Sequence, residues 1–375
     1  MMNQERLVQT FLALGIIDSV SGNELHVARD IQSKLHSLGI QSSMDDAGSS
    51  FGGNAGNILA RMEGTIDVPP VLLCAHMDTV QSTKGLKHIR ENGIIKSDGT
   101  TILGGDDRSG VAIILEIVQT LGEQRIPHGP IEMLFTVCEE AGMHGAKNIK
   151  RSDVEAPYCF VFDCQASPGA YIVEAPGAVA FDVAVHGQSS HAAVSPEKGI
   201  HAIQIASRAI AHLKLGRWTD TGMLNIGTIH GGTSINVIPD RVDITGETRN
   251  ADEHELKSQM EYIRTTFETA ASEIGGKVKI DFKEKYHGYS FSENDPIIRI
   301  ARKSIEAAGL IPTPMKYPGG SDANVLNRKG IPTLNLGVGF KNAHSFQECI
   351  DVRHLVTAAD IGLKIVEQCS MRKLS

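Results

Sequence analysis

The chain has 375 residues, 41% of them hydrophobic and 21% charged, enough to bury a sizeable core and to form two domains of the usual ~100–200 residues. Its formal net charge of -8 argues against broad attraction to nucleic acid or anionic lipid, whose binders concentrate Lys and Arg in patches. No nucleic-acid or membrane partner is expected.

The first residues read MMNQERLVQTFLALGIIDSV. Glu5 precedes the apolar stretch, Asp18 closes it and no small-residue cleavage site follows, so it reads as a first helix rather than a secretory leader. No apolar run approaches the ~20 residues that a membrane-crossing helix needs, and a cytoplasmic protein is the expectation. The six cysteines (Cys74, Cys138, Cys159, Cys164, Cys349 and Cys369) form no CxxC pair. They read as reduced thiols, four of them in or beside apolar runs.

Further along, β-rich apolar runs alternate with helical patterns: Val71 to Ala75, Gly110 to Leu121, Ile131 to Val137 and Cys159 to Phe162. Such alternation implies an α/β sheet. From about Ala178 the order changes to strand (Ala178 to His186), helix (Lys198 to Leu213), two strands (Met223 to Ile229, Arg241 to Thr248), helix (Asp252 to Ile274) and strand (Lys277 to Phe282). That βαββαβ order is the split βαβ, or ferredoxin-like, module. A helix at Pro296 to Ala308 and a buried-type strand at Thr333 to Gly339 then return to the first sheet. The predicted organisation is a mixed-sheet α/β domain, residues 1–174 and 288–375, interrupted by an inserted βαββαβ domain at 175–287.

The ionisable residues fall at predicted strand ends. His76 follows VLLCA, Glu139 and Glu140 follow IEMLFTVC, Asp163 follows CFVF, and His344 comes shortly after TLNLGVG. In open α/β sheets the functional crevice lies beyond the carboxyl ends of the strands, so these segments converge on one site. Asp106 and Asp107 join them from GGDDRSG, a glycine-rich turn that opens the helix near Gly110.

Taken singly, a GGDD turn is ordinarily a turn with helix-capping aspartates, and a histidine after a strand is ordinarily a hydrogen-bonded structural group. Their joint occurrence changes the odds, because so many carboxylates and imidazoles buried together would repel and desolvate at large cost without cations. Oxygen and nitrogen donors with no cysteine suit zinc, with manganese or cobalt as substitutes. Paired ions sharing a carboxylate can polarise a carbonyl and activate water, which makes hydrolysis feasible at neutral pH.

At this point His76-Met77-Asp78, Gly105-Asp106-Asp107, Glu139-Glu140, Asp163 and His344 resemble the motifs of zinc peptidase family M20. GQSSHAAVSPEKGIHA and GGTSINVIPD resemble motifs of that family's inserted lid and dimerisation module. The resemblance spans nearly the whole chain and is greatest to the tripeptidase T-like aminopeptidases. It implies two Zn2+ per subunit: Asp106 bridges them, His76 and Asp163 complete one position, and Glu140 and His344 complete the other. It implies that Glu139 is the general base on the bridging water and later protonates the leaving amine. Asp78 would accept the other ring N–H of His76 and orient it.

The same resemblance implies a homodimer in which His191 reaches into the cleft of the other subunit to stabilise the tetrahedral oxyanion. Asn236 and Arg249 would hold a short peptide substrate, and Gly320, in GGSD, would lie in a substrate-facing loop. For Arg249 an ion pair with Glu247 or Asp252 stands as the alternative. Asp107 is open between helix capping and a supporting role beside the metals, with Arg108 paired to it. His88, His128, His201, His230 and His354 show no metal spacing and read as surface or hydrogen-bonded groups. Trp218 is expected to pack in a loop of the lid.

Two departures from tripeptidase T bear on specificity. The lid histidine is followed by Ala192-Ala193 rather than proline and glycine, and the last ligand sits in NAHSFQECI rather than before a glycine. Both leave the metal ligands intact and weaken strict tripeptide specificity. Aspartate at position 163 resembles the family's aminopeptidases and dipeptidases rather than its acylases and carboxypeptidases. The implied reaction is hydrolysis of the N-terminal peptide bond of a short peptide. An acylase or carboxypeptidase of the same family, or a non-catalytic metal-binding protein, stands as the alternative.

Overall fold

A computed structural model describes residues 2–371. The chain divides into two compact units. One comprises the residues up to Val173, Phe291–Met315 and those from Ser321 onward; the other comprises Glu174–Ser290 and Lys316–Gly320. The insertion therefore lies within a few residues of the expected 175–287, with one correction: Lys316–Gly320, expected in the first domain, belongs to the inserted unit. Contacts between residues far apart in sequence explain this. The Tyr317 N–H donates to the Glu174 carbonyl at 2.9 Å and Lys316 pairs with the Glu174 carboxylate at 3.1 Å.

The main sheet of the first unit is mixed, in the order Gln41–Met44, Ile58–Met62, Ile131–Thr136, Val71–His76, Cys159–Cys164, Thr333–Gly337, Ala170–Ala175. The strands Ile131–Thr136, Val71–His76, Cys159–Cys164 and Thr333–Gly337 run parallel to one another. Parallel strands are covered on both faces, which is why VLLCAH and IEMLFT are buried at every position rather than alternating. The last of them, Thr333–Gly337, sits between Cys159–Cys164 and Ala170–Ala175, inside the sheet rather than at its edge.

The helix Gly105–Gln124 packs on Val71–His76 and Cys159–Cys164. Gly110 permits the close approach, since a Cβ there would lie 2.5 Å from the Phe162 carbonyl oxygen and 2.6 Å from the Asp107 carboxylate. The helices Gln4–Gly15 and Val352–Ser370 pack on this helix in turn and extend the core. Each large apolar side chain buried there, Phe135, Phe160 and Phe162 among them, contributes about 1.5–3 kcal/mol by leaving water.

The inserted unit follows the expected order: Gly177–His186, Ala202–His212, Met223–Gly231, Arg241–Asn250, Glu253–Ile274, Lys277–Tyr286. Its antiparallel sheet runs Met223–Gly231, Arg241–Asn250, Gly177–His186, Lys277–Tyr286, with the short strand Gly216–Arg217 beyond Met223. Period-two alternation turns Phe181, Val183 and Val185 inward. They meet Ala202, Ile205, Ala206 and Ala209 of one helix and Ile263, Phe267, Ala270 and Ala271 of the other. No described helix is long and apolar enough to cross a membrane.

Candidate metal centre

Three parallel strands bring their carboxyl ends to one place. His76 is the last residue of its strand and lies in register with Thr136, the last of the neighbouring strand, so that Glu139 and Glu140 follow within the next turn. Asp163 is the penultimate residue of Cys159–Cys164 on the other side. Asp106 and Asp107 open the helix Gly105–Gln124 with non-helical backbone angles, and the peptide between them is cis. His344 occupies the left-handed region, φ 64°, in the loop between the strands Phe340–Lys341 and Cys349–Asp351.

The donors fall into two groups around Asp106. Its Oδ1 lies 3.0 Å from His76 Nε2, which is itself 3.7 Å from Asp163 Oδ1. Its Oδ2 lies 3.4 Å from His344 Nε2, which is 2.9 Å from Glu140 Oε1. Ligand atoms of His76, Asp106 and Glu140, and those of His76, Asp107 and Asp163, each fall within 4.8 Å of one another. Glu140 Oε1 is buried and makes no hydrogen bond of acceptable angle despite its closeness to His344. These imidazole nitrogens and carboxylate oxygens crowd around a common volume, and this arrangement fits divalent cations.

Beneath these groups lies a set of buried acids. Asp78, fully buried, takes the N–H groups of Glu139 and Glu140 at 2.9 and 3.1 Å and the Ser21 hydroxyl at 2.6 Å. His76 Nδ1 lies 3.1 Å from the Asp78 carbonyl oxygen and 3.3 Å from its Oδ1, so the main chain is the nearer partner. Asp107 caps its helix by accepting the Gly110 N–H at 2.9 Å and also accepts the His76 main-chain N–H at 3.2 Å. Arg108 does not pair with Asp107. Its guanidinium is buried and donates to the carbonyls of Met77 and Ile17 and to the Ser19 hydroxyl.

Burial, followed by the nearby Asp106 charge, pushes the Asp163 carboxyl up to about 8. The contacts with Asp106 and Glu140 lift His344 to about 10. Burial also raises Glu139 well above the usual carboxylate range, with His76 pulling the other way. For Asp106 burial works upward, yet His344 and His76 hold it below the ordinary value. Without cations the cluster therefore retains protons to offset its negative charge.

Some supporting residues were not singled out from sequence. Glu24 accepts the N–H groups of Gly22 and Cys138 at 2.8 and 3.0 Å. Glu348 accepts those of Leu103, Gly104 and Asp106. Asn335 exchanges hydrogen bonds with the Asp163 main chain at 3.2 and 3.3 Å. Asp322, buried and raised to about 6 chiefly by that burial, accepts the Thr136 hydroxyl at 2.5 Å. Only Glu348 carried a usable signal, its spacing of four residues from His344.

The remaining expected residues lie in the inserted unit. His191 is exposed, and its Nδ1 accepts the N–H groups of Ala193 and Val194 at 3.2 Å each. Asn236 is exposed and accepts the Ser234 hydroxyl at 2.7 Å. Arg249 pairs with Glu247 at 3.1 Å and donates to the Pro318 carbonyl at 3.2 Å, leaving its buried Nε without a hydrogen bond. Gly320 lies against the Tyr286 ring, where a Cβ would come within 2.4 Å. Trp218 packs edge-on against Tyr262, with Lys214 over its ring.

A mixed α/β sheet that gathers two imidazoles and a cluster of carboxylates at its strand ends, with a βαββαβ insertion, is the framework of a hydrolase class with a candidate metal site. The sequence model of Peptidase family M20/M25/M40 matches residues 72–368, and the chain belongs to that family and is a peptidase. It is 37% identical over 370 residues to "Uncharacterized protein YqjE" of Bacillus subtilis (strain 168), covering 99% of this chain and 100% of that protein. Among solved structures, the aminopeptidase PepT from Bacillus cereus ATCC 10987 matches with a TM-score of 0.95 and 37% identity, over 98% of this chain and 99% of that one. A tripeptidase from Staphylococcus aureus subsp. aureus Mu50 matches with a TM-score of 0.96 and 36% identity, over 99% and 100%.

Proposed function

We propose that the chain is a dinuclear zinc metallopeptidase that hydrolyses the N-terminal peptide bond of short peptides. The observation that carries the reading is the division of Asp106, with one carboxylate oxygen 3.0 Å from His76 and the other 3.4 Å from His344. Similarity to the Bacillus cereus aminopeptidase and the Staphylococcus aureus tripeptidase supports the substrate class. Zinc suits a donor set of imidazoles and carboxylates, with Mn2+ or Co2+ as substitutes.

His76 and Asp163 would hold one ion, Glu140 and His344 the other, and Asp106 both. When bound, the ions supply Lewis-acid polarisation of the scissile carbonyl and of the attacking water. Glu139 takes the proton from that water and delivers it to the leaving amine nitrogen. Its raised pKa suits both halves of the transfer. Asp78 holds the Glu139 main chain and the His76 ring in place.

From the inserted unit, Asn236, Arg249 and the main chain at Gly320 are the proposed substrate contacts. Arg249 is suited to a bidentate grip on a peptide carboxylate once it exchanges its Glu247 contact. His191 is proposed to steady the oxyanion in the cleft of the other subunit of a homodimer. The proposed location is the cytoplasm.

The test is hydrolysis of Ala-Ala-Ala, its N-acetyl form and its C-terminal amide by zinc-loaded protein, with a chelator control. Chelator-sensitive cleavage of only the free-amine peptides is expected, with slower cleavage of the amide. Preference for the acetylated peptide would overturn the aminopeptidase reading and favour an acylase or carboxypeptidase.

A further inference from the structure

Glu348 has only 1% of its surface exposed, and among the described residues no Lys, Arg or His forms an ion pair with it. Its carboxylate is satisfied by main chain alone. Oε2 accepts the N–H groups of Leu103 and Gly104 at 3.0 and 2.7 Å, and Oε1 accepts that of Asp106 at 2.9 Å. Burial pushes its pKa up to about 7, and the Asp106 N–H pulls against that rise.

These bonds join two separate ligand-bearing segments. Residues 103–106 end in Asp106, the carboxylate lying between the two histidines. Glu348 lies four residues beyond His344, and its own N–H donates to the carbonyl of Ser345, the residue after His344, at 3.1 Å. Ser97 fastens the same segments a second time, since its hydroxyl donates to the Thr101 carbonyl at 2.7 Å and lies 3.4 Å from that of Phe346. Gly105 makes room for the carboxylate, because a Cβ there would stand 3.0 Å from Glu348 Oε1.

We propose that Glu348 is a positioning residue for the metal centre: by gripping the main chain of residues 103–106 from the His344 segment, it fixes the distance between Asp106 and His344. This rests on the metal-centre reading above. Because Asp106 serves both positions, loosening the grip weakens the whole pair rather than one ligand. Glutamine cannot substitute, since both oxygens face N–H donors and an amide would set its own N–H2 against one of them.

The experiment is calorimetric titration of Zn2+ into chelator-stripped wild type, Glu348→Gln and Gly105→Ala, with Co2+ absorption spectra as a readout of coordination geometry. Urea unfolding of the metal-free proteins is measured alongside. Groups that hold metal ligands in place typically govern about ten- to hundredfold of the affinity. A loss in that range is expected for Glu348→Gln, with a smaller loss in the same direction for Gly105→Ala, altered Co2+ bands in both, and metal-free stability near wild type.

A wild type with two tight sites and variants with two equally tight ones would overturn the proposal alone. Loss of affinity that merely follows loss of the folded state in both variants also overturns it, reducing Glu348 to a prop of the loop. A wild type that binds no divalent cation would instead overturn the metal-centre reading itself, a distinguishable result.

Discussion

Asp78 binds the main chain of Glu139 from below, one carboxylate oxygen taking its N–H at 2.9 Å while the other takes the N–H of Glu140 at 3.1 Å. Glu24 holds the preceding N–H, that of Cys138, at 3.0 Å, so three consecutive amides rest on two buried carboxylates. Cys138 lies in the left-handed region at φ 53°, at the start of the turn that carries Glu139 and Glu140. The proposed base and a proposed ligand are thus adjacent in sequence but separately held.

Replacing Asp78 by Asn keeps the shape and removes one of its two acceptor oxygens. The amide end would face a backbone N–H or the Ser21 hydroxyl, and His76 would lose its charged neighbour. A fall in kcat of about ten- to hundredfold is expected, with KM nearly unchanged because Asp78 is fully buried and touches no substrate. Steady-state kinetics on a tripeptide decide the matter, and an unaltered kcat would remove Asp78 from the positioning role.

Glu139→Gln separates proton transfer from metal binding. The residue is buried and its pKa is raised primarily by that burial, as suits a group that accepts a proton and later returns it. Hydrolysis is expected to fall by about 10²–10⁴-fold, the usual contribution of general acid–base catalysis, with both Zn2+ ions retained in elemental analysis. Turnover at the wild-type rate would eliminate Glu139 as the base.

The metal-free cluster also predicts the sign of a pH effect. Asp163 and His344 titrate at about 8 and about 10 in the absence of cations, so both carry protons at pH 7 that must leave before they can bind metal. Zinc binding should therefore release protons at pH 7, and affinity should rise as pH increases from about 6 toward 8. Calorimetry in two buffers of different ionisation enthalpy measures that release directly. Zero release, or affinity that is flat with pH, would contradict the protonated resting cluster.

Much of this architecture was legible in the sequence because each ligand follows an apolar run whose length and composition mark a buried strand. VLLCA and CFVF give the direction of their strands, and the direction gives the end at which His76 and Asp163 emerge. The βαββαβ insertion was legible for the same reason, since alternation in Gly177–His186 and helical spacing in Glu253–Ile274 have different periods. Residues that act on main chain were not legible. Glu24 looks like an ordinary acid among polar neighbours, and although Glu348 is spaced four residues from His344, only the fold places backbone N–H groups against either. Lys316–Gly320 was misplaced because its affiliation depends on long-range contacts with Glu174 and Arg249, which no local pattern encodes. The pairing of Arg108 with Asp107 failed because a neighbour in sequence at a helix start points elsewhere once the helix forms.

Arg108 itself is the strongest stability prediction. Burial pulls its pKa down to about 10, while the charges of Asp78, Asp107 and Glu24 work to keep it protonated, so it stays a cation at neutral pH. Its guanidinium serves the Met77 and Ile17 carbonyls and the Ser19 hydroxyl, tying the residue after His76 to the chain before Asp78's partner Ser21. Arg108→Met would fill similar space but leave those acceptors without a donor and three buried carboxylates without their shared counter-charge. A loss of about 3–5 kcal/mol is expected, the usual cost of stripping the partner from buried charge. Arg108→Lys should recover little of it, because one ammonium cannot span the forked set of acceptors. Urea unfolding of the metal-free proteins gives the measurement, and a loss below about 1 kcal/mol, the value typical of an exposed ion pair, would show that the buried acids are balanced by their own protons rather than by Arg108.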